Sequence, residues 1–397
     1  MRSYWSKAAV AVLPVLGLAA LAGAPAQADP TTTTRQVDYR GHRFTVPASW
    51  PVVDLDQNPR ACVRFDRHAL YLGHPGADQD CPSHAVGRTE ALLVEPDDNT
   101  AAEQGTEAEP VERQYRARTA EVTVTATYDK NPELVRAILT GAEVMSAAHL
   151  VPVVPPAPPR AVSAVPASAT DHTGHGFDTC TAPSSAAMRA WRKSSPYRAV
   201  GIYIGGSKRA CSQPNLTESW VREQAAAGWR FVPLYVGRQA SGITSPAVQG
   251  ASAAQDAIVE AVALGFGPGS VLYYDMEAYP ATYTSKVLAF QKAWTEELHS
   301  WGFLSGWYSS SSSGIADLVA RYGDHTMPDV IYDGLWNGFA DTYDPLVPSG
   351  YWADHRRIHQ YSGGHRETWG GTTIEIDQDY LDVRLATDSV SGAQATR

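Results

Sequence analysis

Positive charge is in short supply in this chain. Lys and Arg number 32 against 42 Asp and Glu in 397 residues, a formal net charge of −10 at pH 7. That balance argues against nucleic acid or an anionic membrane as the main partner and suits a neutral polymer better. Cysteine is also sparse: Cys62, Cys81, Cys180 and Cys211, none in a Cys-x-x-Cys motif, which argues against structural zinc and thioredoxin-type redox. The histidines of the first third (His42, His68, His74, His84) show no metal-ligand spacing, so no metal or other cofactor is expected. No Gly-x-Ser-x-Gly elbow surrounds the serine run 309–313, which argues against an acyl-transfer nucleophile. Beyond the N-terminus no apolar run is long enough to cross a bilayer.

The N-terminus itself reads as an export signal. Arg2 and Lys7 precede an apolar stretch over 8–21, and Ala26-Gln27-Ala28 is a small-x-small cleavage site. Residues 1–28 are therefore expected to be removed, leaving a soluble protein, extracellular or associated with the cell wall, with no membrane insertion after cleavage. The cysteines agree. Four allow three pairings, and the domain boundaries below favour Cys62–Cys81 and Cys180–Cys211, each worth about 3–4 kcal/mol in the chain-entropy model.

A linker rich in proline and alanine, residues 151–171, separates two parts. The first, residues 35–150, reads as a small α+β module. Val122, Val124, Ala126 and Tyr128 alternate with Thr123, Thr125 and Thr127, the period of a half-buried strand. Pro132 opens a helix carrying Leu134, Val135, Ile138 and Leu139. Short strands are expected at 39–47, 62–65 and 69–73, and a polar, mobile loop over 100–112.

The second part, residues 172–387, alternates strand-like and helix-like segments. Strands are expected at 174–180, 199–204, 230–236, 270–277, 303–308, 330–336, 357–361 and 372–377. Helices fall at 217–227 (with Thr217 as N-cap), 246–264, 284–301 and 315–322. Eight strands with intervening helices point to a (β/α)8 TIM-type barrel, irregular where the later connections lack long helices. A doubly wound sheet is the alternative, but no Gly-x-Gly-x-x-Gly follows the first strand.

Polar residues collect at the strand ends, where the active site of such a barrel lies. The strongest signal is Tyr274-Asp275-Met276-Glu277. Residues two apart on a strand share a face, about 6.6–7 Å apart along the chain, so Asp275 and Glu277 are expected on one pocket wall. Like charges that close raise at least one pKa, as a general acid requires, and paired carboxylates perform glycoside hydrolysis. Taken alone, Asp-x-Glu more often marks a hydrated strand end. The companions at other strand ends are Gly176-Phe177-Asp178, Gly306-Trp307-Tyr308-Ser309, His359-Gln360-Tyr361 and Ile376-Asp377.

In that order these motifs resemble the glycoside-hydrolase-like family once catalogued as domain of unknown function 1906, and more distantly the family 25 glycoside hydrolases, which are peptidoglycan muramidases. The resemblance implies a barrel acting on N-acetylated cell-wall glycan. It implies Glu277 as general acid, Asp275 holding Glu277 protonated, and Asp178 and Asp377 lining the floor and positioning the acetamido group or a water. Tyr274, Tyr308 and Trp336 would stack on sugars, with Gln360 a further substrate contact. The implied partner is a polysaccharide or peptidoglycan substrate, with no nucleic acid. A glycan-binding barrel without turnover is the alternative.

Overall fold

The computed structural model describes residues 33–97, 104–109, 112–145, 151–152 and 163–385. The export signal expected over 1–28 and residues 153–162 of the linker lie outside the described residues.

The N-terminal module is richer in strand than an even α+β mixture. Strands β1 (Thr34–Tyr39) and β2 (His42–Pro47) form a hairpin. Seven more strands make one sheet: β3 (Val52–Asp54), β4 (Ala69–Leu72), β5 (Ala91–Pro96), β6 (Gly105–Glu109), β7 (Gln114–Arg118), β8 (Val122–Thr127) and β9 (Val151–Pro152), in the order β3-β4-β5-β8-β7-β6-β9. Helix α1 (Pro132–Gly141) starts where the Asn131 side chain accepts from Leu134 N–H, and it buries Val135, Ile138 and Leu139. Two expectations fail here. Residues 62–65 make only an isolated bridge from Arg64 to Cys211. The segment expected as a mobile loop contains β6, and Glu112 at its end is buried.

The second part closes into a barrel of eight strands: β10 (His172–Asp178), β11 (Ala199–Gly205), β12 (Arg230–Tyr235), β13 (Val271–Asp275), β14 (Leu304–Ser310), β15 (Val330–Gly334), β16 (Arg356–Trp369) and β17 (Thr372–Val383). Helices α2 (Ser185–Ser194), α3 (Glu218–Ala226), α4 (Pro246–Ala263), α5 (Thr284–Ser300) and the short α6 (Ala316–Ala320) surround it. Thr217 caps α3 by accepting from Trp220 N–H.

The regular (β/α)8 pattern breaks at its end. Neighbours from β10 to β16 pair in parallel, but β17 is antiparallel to both β16 and β10. Trp369 opposes Thr372 across Gly370-Gly371, both with positive φ (60° and 81°). A two-residue turn of that kind joins antiparallel strands directly, whereas a parallel pair needs a crossover long enough to hold a helix. His172 pairs with Val383, and Leu385 N–H donates to Asp171 Oδ1 at 2.9 Å. The chain thus enters and leaves the barrel at its floor.

Alternation along the strands builds two cores. Tyr203, Val232, Leu234, Val271, Tyr273, Tyr332, Ile358 and Leu381 fill the interior, so the barrel is packed and not a pore. Phe231, Tyr235, Tyr274 and Trp307 face outward onto helical side chains such as Phe290 and Trp294.

The modules are joined at the loop between β4 and β5. Val86 bridges to Arg209, Gly87 N–H donates to Lys208 carbonyl at 2.8 Å and Phe65 N–H to Ala210 carbonyl at 2.7 Å. Arg88 and Glu112, both buried, form an ion pair at 3.2 Å, and Glu112 Oε1 accepts from Gly206 N–H at 2.6 Å. The disulfides Cys62–Cys81 and Cys180–Cys211 form as expected and touch one another, Cys62 Sγ lying 3.9 Å from Cys211 Sγ.

Candidate functional site

The site is built from the β13 pattern outward. Val271, Tyr273 and Asp275 point into the barrel, and Leu272, Tyr274 and Met276 point to the helices. Asp275 thereby reaches the mouth at 1% exposure, and Glu277 follows on the same wall, partly exposed. Gln239, after β12, clamps the turn: its Nε2 donates to Asp275 carbonyl at 2.9 Å and its Oε1 accepts from Glu277 N–H at 2.8 Å. The same alternation overturns Tyr274 as a sugar platform. Its ring is fully buried, stacked on Trp307 with centroids 5.2 Å apart, and its hydroxyl donates to Arg238 carbonyl.

The other staves add a polar layer. Asp178, ending β10, is 1% exposed; its Oδ1 accepts from Tyr203 hydroxyl at 3.0 Å, and its Oδ2 from Tyr332 hydroxyl at 2.8 Å and Gln360 Nε2 at 2.9 Å. Tyr332 also meets Asp379 Oδ1 at 2.7 Å. A hydroxyl holds one proton, so one of these two carboxyls must itself be protonated. Gln360 Oε1 accepts from Tyr308 hydroxyl at 3.1 Å and from Trp336 Nε1 at 2.9 Å. Tyr308 lines the mouth, and Trp336, 66% exposed, stands at its lip. Asp377 Oδ1 accepts from Gly364 N–H at 2.5 Å. Because β17 runs antiparallel, Asp377 opposes Asp178 directly and Asp379 opposes Gly176.

One member comes from the other module. His84, on the β4–β5 loop, places Nε2 2.8 Å from Glu277 Oε1 and Nδ1 3.0 Å from Tyr203 hydroxyl.

These contacts sort the charges. Burial and the neighbouring Glu277 charge raise Asp275 well above the carboxylate range. Burial opposes ionisation of Glu277 too, but the His84 hydrogen bond and charge outweigh it and hold its pKa down. Burial would lower His84, yet its bond to Glu277 and the charges of Asp275, Glu277 and Asp178 push it up to about 10. Burial and Asp377 raise Asp178 to about 7, and burial and Asp178 raise Asp379 well above its ordinary value. At neutral pH the proton of the Asp275/Glu277 pair therefore sits on Asp275, the reverse of the expected distribution, because an imidazolium from outside the barrel takes the Glu277 side.

Sequence reasoning brought Asp178, Asp275, Glu277, Tyr308, Trp336, Gln360 and Asp377 to one end of the barrel, and the structure gathers them there. It did not single out His84, Tyr203, Tyr332, Gln239 or Asp379 as site residues. The inward period of β11 and β15 would have found the two tyrosines. No spacing signal announces His84. Ligand atoms of His84, Asp275 and Glu277 lie within 4.8 Å of one another, as do those of His84, Asp178 and Asp377, separations that a coordinated divalent cation would also admit. A groove of about 330 Å³ lies between the modules rather than over the carboxylates; its lining includes Arg60, Asp80, Arg366 and Thr179, the residue after Asp178.

Residues 189–381 match the family model of the Rv2525c-like, glycoside hydrolase-like domain. The match takes in Asp275, Glu277 and Asp377 and leaves Asp178 and His84 outside it. A solved structure of an uncharacterized B. stearothermophilus protein is similar at 21% identity, covering 53% of this chain and 97% of that one, with a TM-score of 0.42. No curated protein matches the chain.

Proposed function

We propose, from the premise that the C-terminal barrel is an Rv2525c-like, glycoside hydrolase-like domain, that this is a secreted hydrolase of N-acetylated cell-wall glycan of the peptidoglycan type. The observation carrying the reading is the carboxyl pair at the mouth, two residues apart and faced by Asp178, with Asp275 pushed up by burial and the Glu277 charge and Glu277 held down by His84. Glycoside hydrolysis uses two carboxyl groups in unlike protonation states on either side of the scissile bond. Glu277, the more exposed of the pair and hydrogen-bonded to His84, takes up a proton and passes it to the leaving oxygen. Asp275 beneath it steadies that carboxyl. Asp178 and Asp377 position the acetamido group or a water, while Tyr308 and Trp336 offer ring faces to sugars. The leader expected at the N-terminus and the two disulfides support export; among the described residues no helix is long and apolar enough to cross a membrane.

The test is purified protein on labelled peptidoglycan. New reducing ends that disappear in Glu277→Gln support hydrolysis. A second reading, glycan binding without turnover, draws on the resting state of Glu277, ionised and engaged by His84. It predicts bound but uncut glycan.

A further inference from the structure

We infer that the site is completed by the N-terminal module: His84 is the positioning residue that stores the proton Glu277 delivers. This rests on the hydrolase reading above.

The geometry makes His84 a built part of the mouth. Three residues before it, Cys81 is tied to Cys62, whose sulfur touches the Cys180–Cys211 bridge. Two residues after it, Val86 bridges to Arg209 on the barrel. Both ring nitrogens are engaged, and the direction of the bonds is constrained. Tyr203 hydroxyl gives its proton to Asp178 Oδ1, so its oxygen accepts from Nδ1–H; Nε2 and Glu277 Oε1 share one further proton across 2.8 Å, and the downward shift of Glu277 places that proton on Nε2. A ring donating from both nitrogens is an imidazolium. Glu277, His84, Tyr203 and Asp178 thus form one hydrogen-bonded chain across the mouth, from the end of β13 to the end of β10.

The groups facing the ring are Asp275 and Glu277 from β13, Asp178 from β10, Asp377 from β17 and Tyr203 from β11. Among the described residues no lysine or arginine is ion-paired with these four carboxyl groups; His84 is their cation. In the reaction the Nε2 proton moves to Glu277 Oε1, neutralising both groups. Glu277 passes it to the glycosidic oxygen as the bond from that oxygen to the anomeric carbon breaks. Water forms the new bond to that carbon and yields its surplus proton to the Asp178 carboxylate. Asp178 then loses that proton to solvent and His84 takes one back.

Two measurements on the full-length protein test this. The first is an imidazole NMR titration, independent of any substrate. His84 is expected to stay protonated above pH 8 in the wild type and to return toward the ordinary histidine range in Glu277→Gln. Titration of wild-type His84 near 6.5 overturns the proposal. The second is turnover of labelled peptidoglycan by His84→Ala, with His84→Gln as a second variant and folding checked by circular dichroism. The loss expected is on the order of 10²-fold in kcat with KM little changed, with partial rescue by added imidazole. Folded variants that match or exceed wild-type activity, or that imidazole does not rescue, make His84 a structural plug and defeat the inference. Wild-type protein that leaves glycan uncut sinks the hydrolase reading and with it the delivery step, while the titration separately decides whether the proton is stored.

Discussion

Asp275 and Glu277 carry the same functional group on the same wall, and their surroundings divide them. The Asp275 Oδ1 is buried with no hydrogen-bond partner among the described residues; Glu277 has the His84 ring at 2.8 Å. Replacing Glu277 by Gln removes the carboxylate that takes up and passes on the proton but keeps the shape, so kcat on peptidoglycan is expected to fall by roughly 10²-fold or more. It also removes the charge that raises Asp275, whose own pKa should come down, as a carboxyl-carbon NMR titration would register. Asp333 gives a residue-scale test of stability. Burial and the adjacent Asp344 raise it from 3.8 to about 9. The folded state then holds a proton that the unfolded chain releases, so its stabilising contribution is complete below about pH 4 and is lost as pH rises to about 9. Asp333→Asn should flatten that decline, gaining on the wild type in urea unfolding at pH 8 relative to pH 4. At this scale the sequence was informative wherever strand period and strand end coincide, as for Asp178 and Asp275. It was misleading for Tyr274, where nearness to the motif was taken for nearness to the pocket although its odd-numbered neighbours Tyr273 and Asp275 claim the inward face.

Among the elements, β13 and β14 show how little room the barrel interior leaves. A Cβ on Gly306 would lie 2.1 Å from Tyr273 Cδ1. Gly306→Ala must push that ring out of the packed interior, at a cost of about 1–3 kcal/mol, measurable as a lower denaturation midpoint with an unchanged slope. Most barrel strands and helices α3, α4 and α5 could be read from the chain because caps, glycine stops and apolar periods agree there. Helix α2 was passed over: its apolar stripe, Ala187, Met188 and Trp191, is short and interrupted by Arg189, Arg192 and Lys193. The β16–β17 hairpin was misread for a different reason. Gly370-Gly371 is a strong turn signal, but the expectation of eight repeats assigned its two arms to separate parallel strands. The antiparallel return of β17 is what turns both Asp377 and Asp379 toward the mouth.

For the whole molecule, the decisive contact is between modules that the sequence separates by a linker. No local pattern links His84 to Glu277, 193 positions apart; only the packed β4–β5 loop does. The Arg88–Glu112 pair holds the same junction, Arg88 also donating to Arg209 carbonyl at 3.2 Å. Removing one partner strands a buried charge, so Arg88→Ala is expected to cost about 3–5 kcal/mol, seen as loss of cooperative unfolding at the wild-type midpoint. The closing hairpin bears on how the protein would meet the insoluble polymer proposed as its substrate. Since the last strand runs back to the floor beside Asp171, an affinity handle or surface anchor fused directly at residue 385 would start from the pole opposite the carboxylates. Molecules immobilised that way should present their open ends outward, toward a cell-wall particle laid against them.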